Sequence, residues 1–402
     1  MKTLARGAVL LAVMLCCPPG ASAQELPSGP ISLAGGRITL GTDLSISTTP
    51  QDDTDGSWFN YTDYEHNALR LLRLGVTADV RLNDRVSVLA DVRSENGDEV
   101  RPYALYLRVR PWRDRPFVIQ AGRIPPTFGA FSRRGYGAGN PLIGYPLAYQ
   151  YLTSIRADAL PATTDDVLLM RTHGWRPSYP IGSLEADAGL PLISAFRWDT
   201  GVQAHYGGDT LNVSAALTNG TISDPHTRDN NGGKAVTARM QWQPAPALTL
   251  GTSASHGTFV ADAALASAVL IEGSGGSSQR ALGLDAELSR GHWLIRGEFI
   301  RNSWQVPTLA QNLRAWSLSV ESRYKILPGL FAAGRADRLS FDEVRSTRES
   351  EAWDAPVTRL EAGLGYYLRP NLLGKVAYQH NWREGGLVRR RGLLAAQLHF
   401  WL

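Results

Sequence analysis

The stretch RGLLAAQLHFWL, Arg391 to Leu402, decides how the chain is read. Successive side chains of an extended strand point to opposite faces. Leu394, Ala396, Leu398, Phe400 and Leu402 therefore share one wholly apolar face. Leu393, Ala395, Gln397, His399 and Trp401 share the other, which is mixed. The apolar face has to be covered by something other than water.

The same period of two recurs upstream. Leu72, Leu74, Val76, Ala78 and Val80 alternate with Arg73, Gly75, Thr77, Asp79 and Arg81. Leu282, Leu284, Ala286 and Leu288 alternate with Gly283, Asp285, Glu287 and Ser289. Repeated along the chain, the pattern yields roughly sixteen strands. Their connections alternate between short links, such as Asn83-Asp84 and Arg369–Asn371, and long ones, such as Pro50–His66 and Ser340–Pro356. A soluble sandwich would bury its apolar faces against each other and has no reason to alternate loop lengths in this way. A transmembrane barrel has a lipid-facing apolar side and a water-filled lumen, and it alternates short turns with long loops. The sequence therefore predicts an all-β transmembrane antiparallel barrel of about 16 strands over residues 37–402, with short periplasmic turns and long outer loops. The last strand is expected to pair with the first, near Arg37–Thr48, because an open edge in hydrocarbon leaves backbone groups unsatisfied.

Aromatic residues sort toward the strand ends. Tyr103, Phe299, Trp316 and Tyr378 are expected on the apolar face at the long-loop end. Phe117, Tyr206, Trp242, Trp293, Tyr324, Tyr366 and Phe400 are expected on that face at the short-turn end, making two interfacial belts.

The other end of the chain gives the compartment. Lys2 and Arg6 precede an apolar run from Ala8 to Cys17, and Ala21-Ser22-Ala23 follows. Residues 1–23 read as a secretory signal peptide and 24–36 as a short periplasmic segment. The apolar run is too short for a helical span of roughly 20 residues. Cys16 and Cys17, the chain's two cysteines, fall in the leader, so disulfides and thiolate metal sites are not expected in the mature part. Without Lys2 and Arg6 the formal charge of +4 falls to +2, so the basic balance is no argument for nucleic acid, and no nucleic-acid partner is expected. No metal or cofactor motif is found. Gln51 to Gly56, QDDTDG, has carboxylates spaced like part of a calcium loop but lacks the distal Glu, and reads as a solvated loop.

The mixed faces carry the function. Arg239, Arg296 and Arg335 are expected at mid-height in the lumen, with Arg73, Arg81, Arg93, Arg108, Arg110, Arg123, Arg323 and Arg359 nearer the ends. Asp43, Asp79, Asp91, Asp285, Glu287, Glu298, Glu321, Asp337 and Glu361 share the face. Arginine rings favour anions and carboxylate rings favour cations. A salt-bridged wall of weak selectivity and an anion-selective pore are both consistent with this mixture. The longest loop, about 123–196, is rich in Gly, Pro and Tyr and is expected to be ordered.

This arrangement resembles the bacterial porin superfamily over nearly the whole mature chain. In sixteen-stranded trimeric porins the third outer loop folds into the lumen and narrows it, and the resemblance implies the same here. GRIPPTFGAF, Gly122 to Phe131, looks like the G-R/K-x-x-x-P-F-G element of the phosphate-selective porin O and P group, with Thr127 interrupting the Pro-Phe-Gly. That group's lysine-rich anion ladder has no counterpart among Lys234, Lys325 and Lys375. If an eyelet forms, Arg123, Arg133, Arg134 and Arg156 are expected on its loop side, facing Arg239, Arg296 and Arg335 on the wall. The C-terminal strand also resembles the signal by which outer-membrane insertion machinery recognises its clients, although Leu402 rather than an aromatic residue is last.

The expected function is passive diffusion of small hydrophilic solutes, leaning toward anions, across a bacterial outer membrane. Outer-membrane lipid, the insertion machinery and a homotrimer are the implied partners. Two alternatives remain open. One is a plugged, non-conducting barrel acting in binding or adhesion. The other is an outer-membrane hydrolase, which would need a Ser–His pair on the lipid-facing rim. Ser255 and His256 are neighbours and so point to opposite faces, which argues against it.

Overall fold

Sixteen strands close into one antiparallel barrel. A computed structural model describes residues 30–50, 59–61, 66–134, 137–194, 198–268, 276–347 and 349–402. The leader assigned to 1–23 and the QDDTDG segment lie outside the described residues. We number the strands β1 (Ile38–Thr48), β2 (Leu72–Arg81), β3 (Val86–Glu95), β4 (Arg101–Val109), β5 (Phe117–Ile124) and β6 (Asp199–Gly207). They continue as β7 (Leu211–Thr218), β8 (Ala235–Ala245), β9 (Leu248–Thr258), β10 (Ser278–Arg290) and β11 (Trp293–Trp304). The last five are β12 (Leu313–Leu327), β13 (Leu330–Phe341), β14 (Val357–Arg369), β15 (Leu372–Arg383) and β16 (Arg390–Trp401).

Closure uses the C-terminal stretch, Arg391 to Leu402. Asp43 to Thr48 of β1 pair antiparallel with Trp401 to Ala396 of β16. Leu402 N–H donates to Thr42 O at 2.9 Å. There β16 stops, and a short strand, Ile31–Leu33, takes over the edge by pairing with Ile38–Leu40. The two pieces together satisfy the backbone of β1 along the seam, which hydrocarbon would otherwise leave unpaired.

The alternation is realised as expected. Leu282, Leu284, Val236, Leu364 and Leu394 point outward and are about half exposed in the isolated chain. Their sequence neighbours on the other face, Ala281, Gly283, Ala235, Gly363 and Leu393, look inward. Short turns are closed locally: the Asn83 side chain accepts from Arg85 N–H and Val86 N–H. The short-turn belt forms, with Tyr206, Trp242, Trp293 and Tyr366 exposed and Trp293 packed 4.7 Å from Tyr324. Phe299 and Trp316 stand together outward at the long-loop end, 6.4 Å apart.

Tyr103 departs from the expectation. The β3–β4 register shifts between Asp91 and Val92, so Asp91 faces Ala104 while Val92 faces Pro102. The extra residue, Tyr103, turns into the lumen, where the Arg93 guanidinium lies 3.5 Å from its ring centroid. A bulge adds one residue and inverts the phase locally, which a strict period of two does not anticipate.

The connection from β5 to β6, residues 125–198, folds into the barrel and fills much of it. One apolar cluster joins this loop to the other long loops: Tyr151, Leu192, Phe259, Trp304, Phe341 and Trp353 are all buried in it. A second joins Leu142 and Ile143 of the loop to inward Phe331, Leu373, Ala377, Leu393 and Ala395. The inner wall of β13, β15 and β16 is thus partly apolar because it receives the loop tip.

Candidate functional site: the lumen and its inserted loop

Register places the charged residues of the wall. Five inward side chains sit directly opposite one another on adjacent strands: Glu287, Arg296, Glu321, Arg335 and Glu361, from β10 to β14. The signs alternate along this row, and opposite charges facing across strands stabilise a sheet. Arg296 Nε donates to Glu287 at 2.6 Å and its Nη1 to Glu321 at 3.3 Å. Arg335 reaches Asp337 at 3.0 Å and Glu361 at 2.6 Å, and lies 3.5 Å from Glu321. One strand pair away, Arg239 clasps Asp285 with two bonds of 2.7 and 2.9 Å. Charges this deep persist only when paired.

The inserted loop docks onto the same row. Gly129 adopts φ +77°, and a Cβ there would lie 2.2 Å from the Tyr149 hydroxyl. A bare glycine therefore lets the loop turn against its own later segment. Glu298 of β11 clamps both parts, accepting from Ala130 N–H and from Tyr149 O–H, each at 2.6 Å. Arg134 then donates to Glu321 at 2.8 Å, so Glu321 is shared by Arg134, Arg296 and Arg335. At the tip, Lys375 of β15 donates to the carbonyls of Gly137, Asn140 and Leu142 at 2.9, 2.9 and 3.0 Å. Gly144 N–H donates to Glu361 at 2.8 Å. Beyond the tip the loop rises into the roof, where Asp354 accepts from Ser154, Thr172 and Ala355 N–H.

The arginines singled out in the sequence divide into distinct groups. Arg134, Arg239, Arg296 and Arg335 come together around the inserted loop as described. Arg93 bonds Asp91 at 2.7 Å, and Arg73 bonds Glu95 at 2.7 Å and the Tyr145 hydroxyl at 3.3 Å. Arg359 is fully buried and donates to Asn381, to Tyr145 O of the long loop and to Phe59 O of the first loop. It fastens two loops to the wall and is not exposed to a lumen. Arg123 lies opposite outward Leu105 and donates to the Pro102 and Trp198 carbonyls, so it anchors the loop's return from outside the lumen. Arg156 is in the roof, bonded to Asp158 and to the Pro177 and Glu185 carbonyls. The Arg133 side chain lies outside the described residues. The docking roles of Lys375, Glu298 and Asp354 are not evident from the sequence; the one visible signal is Lys375, one of few lysines in an arginine-rich chain.

A cavity of about 180 Å³ lies between the loop and the wall, lined by Arg134, Arg239 and Arg296 against Asp285, Glu287, Glu298 and Glu321. Three arginines thus face four carboxylates. The mouth at the short-turn end is different. There Arg37, Arg81, Arg85, Arg108, Arg110 and Arg113 line a cavity of about 860 Å³ with Asp84 as the lining carboxylate. Arg113 bonds Asp84 at 2.6 Å and Arg108 bonds Asp79 at 2.8 Å. Net positive charge is therefore concentrated at this mouth and not at mid-height.

Asp354 yields a prediction. Burial pushes its carboxyl up to about 6 from the ordinary 3.8, against the pull of its three backbone donors. A carboxyl raised in the folded state binds protons there before the unfolded chain does. The penalty is complete above pH 6 and is relieved below pH 4, amounting to about 3 kcal/mol. Protection of the Ser154 and Thr172 amides from hydrogen exchange, corrected for intrinsic rates, should rise as pH falls from 6.5 to 4. In Asp354→Asn that rise should vanish.

No family model and no curated protein matches the sequence. Solved structures do. OmpF of Salmonella typhi, in complex with daunomycin, matches with TM-score 0.59 at 12% identity, over 93% of this chain and 100% of that one. An anion-selective porin from Comamonas acidovorans matches with TM-score 0.54 at 8% identity, over 91% and 99%. OmpT, an outer-membrane protein of Vibrio cholerae in its trimer form, matches with TM-score 0.52 at 11% identity, over 91% and 99%. At these identities the likeness is one of fold: a sixteen-stranded barrel of the kind found in outer-membrane porins.

Proposed function

We propose that the chain is a bacterial outer-membrane channel for passive diffusion of small hydrophilic solutes, with a lean toward anions and no chemical turnover. The observation that carries the reading is the charged inner wall ending in the arginine-lined mouth at the short-turn end, inside a barrel whose outer face is apolar. Interior charge at this density needs water, and the apolar belt needs lipid. With short turns on the periplasmic side, the six mouth arginines face the periplasm and raise the local concentration of anions. The neutralised row at mid-height limits the selectivity. The anion-selective likeness from Comamonas acidovorans accords with this reading, and the trimer form of the Vibrio cholerae protein with a homotrimer. Insertion would use β16, the strand resembling the signal read by the insertion machinery.

The phosphate-selective reading rests on GRIPPTFGAF alone. Its Gly122, at φ +125°, lies where a Cβ would meet Leu105 O at 2.4 Å, so this glycine has a local packing role. The hydrolase reading gains little from His205, whose Nδ1 shares a hydrogen bond of 2.8 Å with Ser214 on the inner wall, away from lipid. A plugged barrel is the second reading, favoured by the apolar roof of Tyr151, Trp304 and Trp353.

The test is the reversal potential of the purified protein in a planar bilayer under a KCl gradient. Stepwise conductance with a chloride-directed potential is expected, reduced when Arg81, Arg108 and Arg110 are all replaced by Gln. A potassium-directed potential removes the anion lean. Absence of conductance moves the assignment to the plugged barrel.

A further inference from the structure

The outward face of β8–β13 is apolar through the barrel's waist, yet its long-loop end is cationic. Register sets His256 beside Arg280, Arg280 beside Ser303 and Ser303 beside Arg314. One row lower, Leu282 stands beside Arg301 and Arg301 beside Trp316. His256, Arg280, Arg301 and Arg314 are all exposed. Val236, Ala238, Ala254 and Leu282 floor a groove of about 820 Å³ between them. The floor is low because Ala238 and Ala254 are small where neighbouring strands carry Leu, Phe or Trp.

The charge lining this groove is of one sign only, and the nearest outward ion pair of the face, Arg338 with Glu384, lies on β13 away from it. No outward register position of β8–β13 holds a carboxylate. Among the described residues, none of Arg280, Arg301 and Arg314 has an ion-pair partner. Arg301 is level with Trp316, in the aromatic belt, where side chains meet lipid headgroups. A guanidinium at that height is costly without an anionic partner, and its planar fork matches a phosphate with two parallel hydrogen bonds. Apolar floor and cationic rim together fit an amphiphile, with acyl chain below and phosphate above.

We propose that this groove binds a phosphorylated glycolipid of the outer leaflet, its phosphates held by Arg280, Arg301 and Arg314 and one acyl chain lying on Val236, Ala238 and Ala254. The site is separate from the lumen and requires only that the barrel spans the membrane, so it stands whether or not the channel conducts.

The full chain, folded in neutral detergent, is titrated with diphosphoryl lipid A and with the same lipid stripped of both phosphates, and binding is read by native mass spectrometry. Wild type is expected to bind the phosphorylated lipid at least tenfold more tightly. R280Q/R301Q/R314Q is expected to lose that preference while keeping its single-channel conductance. Arg301→Gln alone, a smaller change, is expected to lose part of it, which guards against misfolding of the triple variant. Equal binding of the two lipids by wild type overturns the proposal. So does a preference undiminished in the variants, or complete displacement of the lipid by millimolar inorganic phosphate. A triple variant that keeps the preference but changes its oligomeric state overturns the proposal and identifies the face as a contact between copies.

Discussion

Replacing Lys375 with Met releases the tip of the inserted loop and raises single-channel conductance. The ammonium of Lys375 has three donors and gives one to each of three carbonyls, those of Gly137, Asn140 and Leu142. Its side chain is buried on β15, so these carbonyls have little access to water. Met keeps the stem's volume and packing but leaves three acceptors without a donor. Each buried unsatisfied group costs about 1–3 kcal/mol. Removing a buried cation returns part of that, because its own desolvation is no longer incurred. A net loss of about 3 kcal/mol of tip docking is the expected order. The barrel itself should form as before, since the β14–β15 and β15–β16 ladders run through the backbone. Limited proteolysis should open new cleavage near residues 137–144, together with larger conductance steps. Lys375→Arg should give an intermediate result, because a planar fork cannot address three convergent carbonyls as a tripod does. If Met leaves both the cleavage pattern and the conductance unchanged, then Leu142, Ile143 and the Gly144–Glu361 bond hold the tip without it.

Lys375 also marks the limit of what the alternating pattern of the sequence conveys. Strand number, the β1–β16 closure, loop lengths and most belt aromatics follow from one local rule, alternation, which every strand obeys independently. Tyr103 escaped because a bulge is a property of two strands and not of one. The inward placement of Arg239, Arg296 and Arg335 followed from the same alternation. Their partners did not, because Glu321 meets both Arg296 and Arg335 only through the registers of β11, β12 and β13. Loop residues were hardest. Arg123, Arg134 and Arg156 are the same residue type in one Gly/Pro-rich stretch, yet one anchors the loop outside, one reaches the wall and one ties the roof. Arg123 is placed by the last residues of β5, opposite Leu105, whereas Arg134 and Arg156 depend on the path of the 74 connecting residues, numbers 125–198, which carry no period. Arg359 looked like a pore residue by face and height, but it fastens the Tyr145 and Phe59 carbonyls, a role visible only once the loops are in place.

Neutralising Glu321 tests whether ions pass the row at mid-height. Its Oε1 accepts from Arg134 at 2.8 Å and from Arg296 at 3.3 Å, and its Oε2 lies 3.5 Å from Arg335. Arg296 keeps Glu287, and Arg335 keeps Asp337 and Glu361. Among the described residues Arg134 keeps no other carboxylate bond, so Glu321→Gln leaves its guanidinium on a neutral amide at the edge of the loop. Breaking a buried pair by removing one partner costs about 3–5 kcal/mol. The lower end applies here, because Gln retains one acceptor and Arg134 is partly accessible. Urea unfolding should therefore shift by about 3 kcal/mol. The electrical effect is more telling. The cavity beside the loop holds three arginines against four carboxylates, and Glu321→Gln brings it to balance while freeing Arg134. Facing ions see one fewer negative charge and one newly available cation, so the reversal potential under a KCl gradient should move further toward chloride. Arg134→Gln should move it the other way, leaving the carboxylates in excess. Were Glu321→Gln to lower stability without moving the reversal potential, conduction would run along the opposite wall. There Asp79, Asp91, Arg93 and Arg108 of β2–β4 face the lumen, and the Glu321 row would serve only to hold the loop.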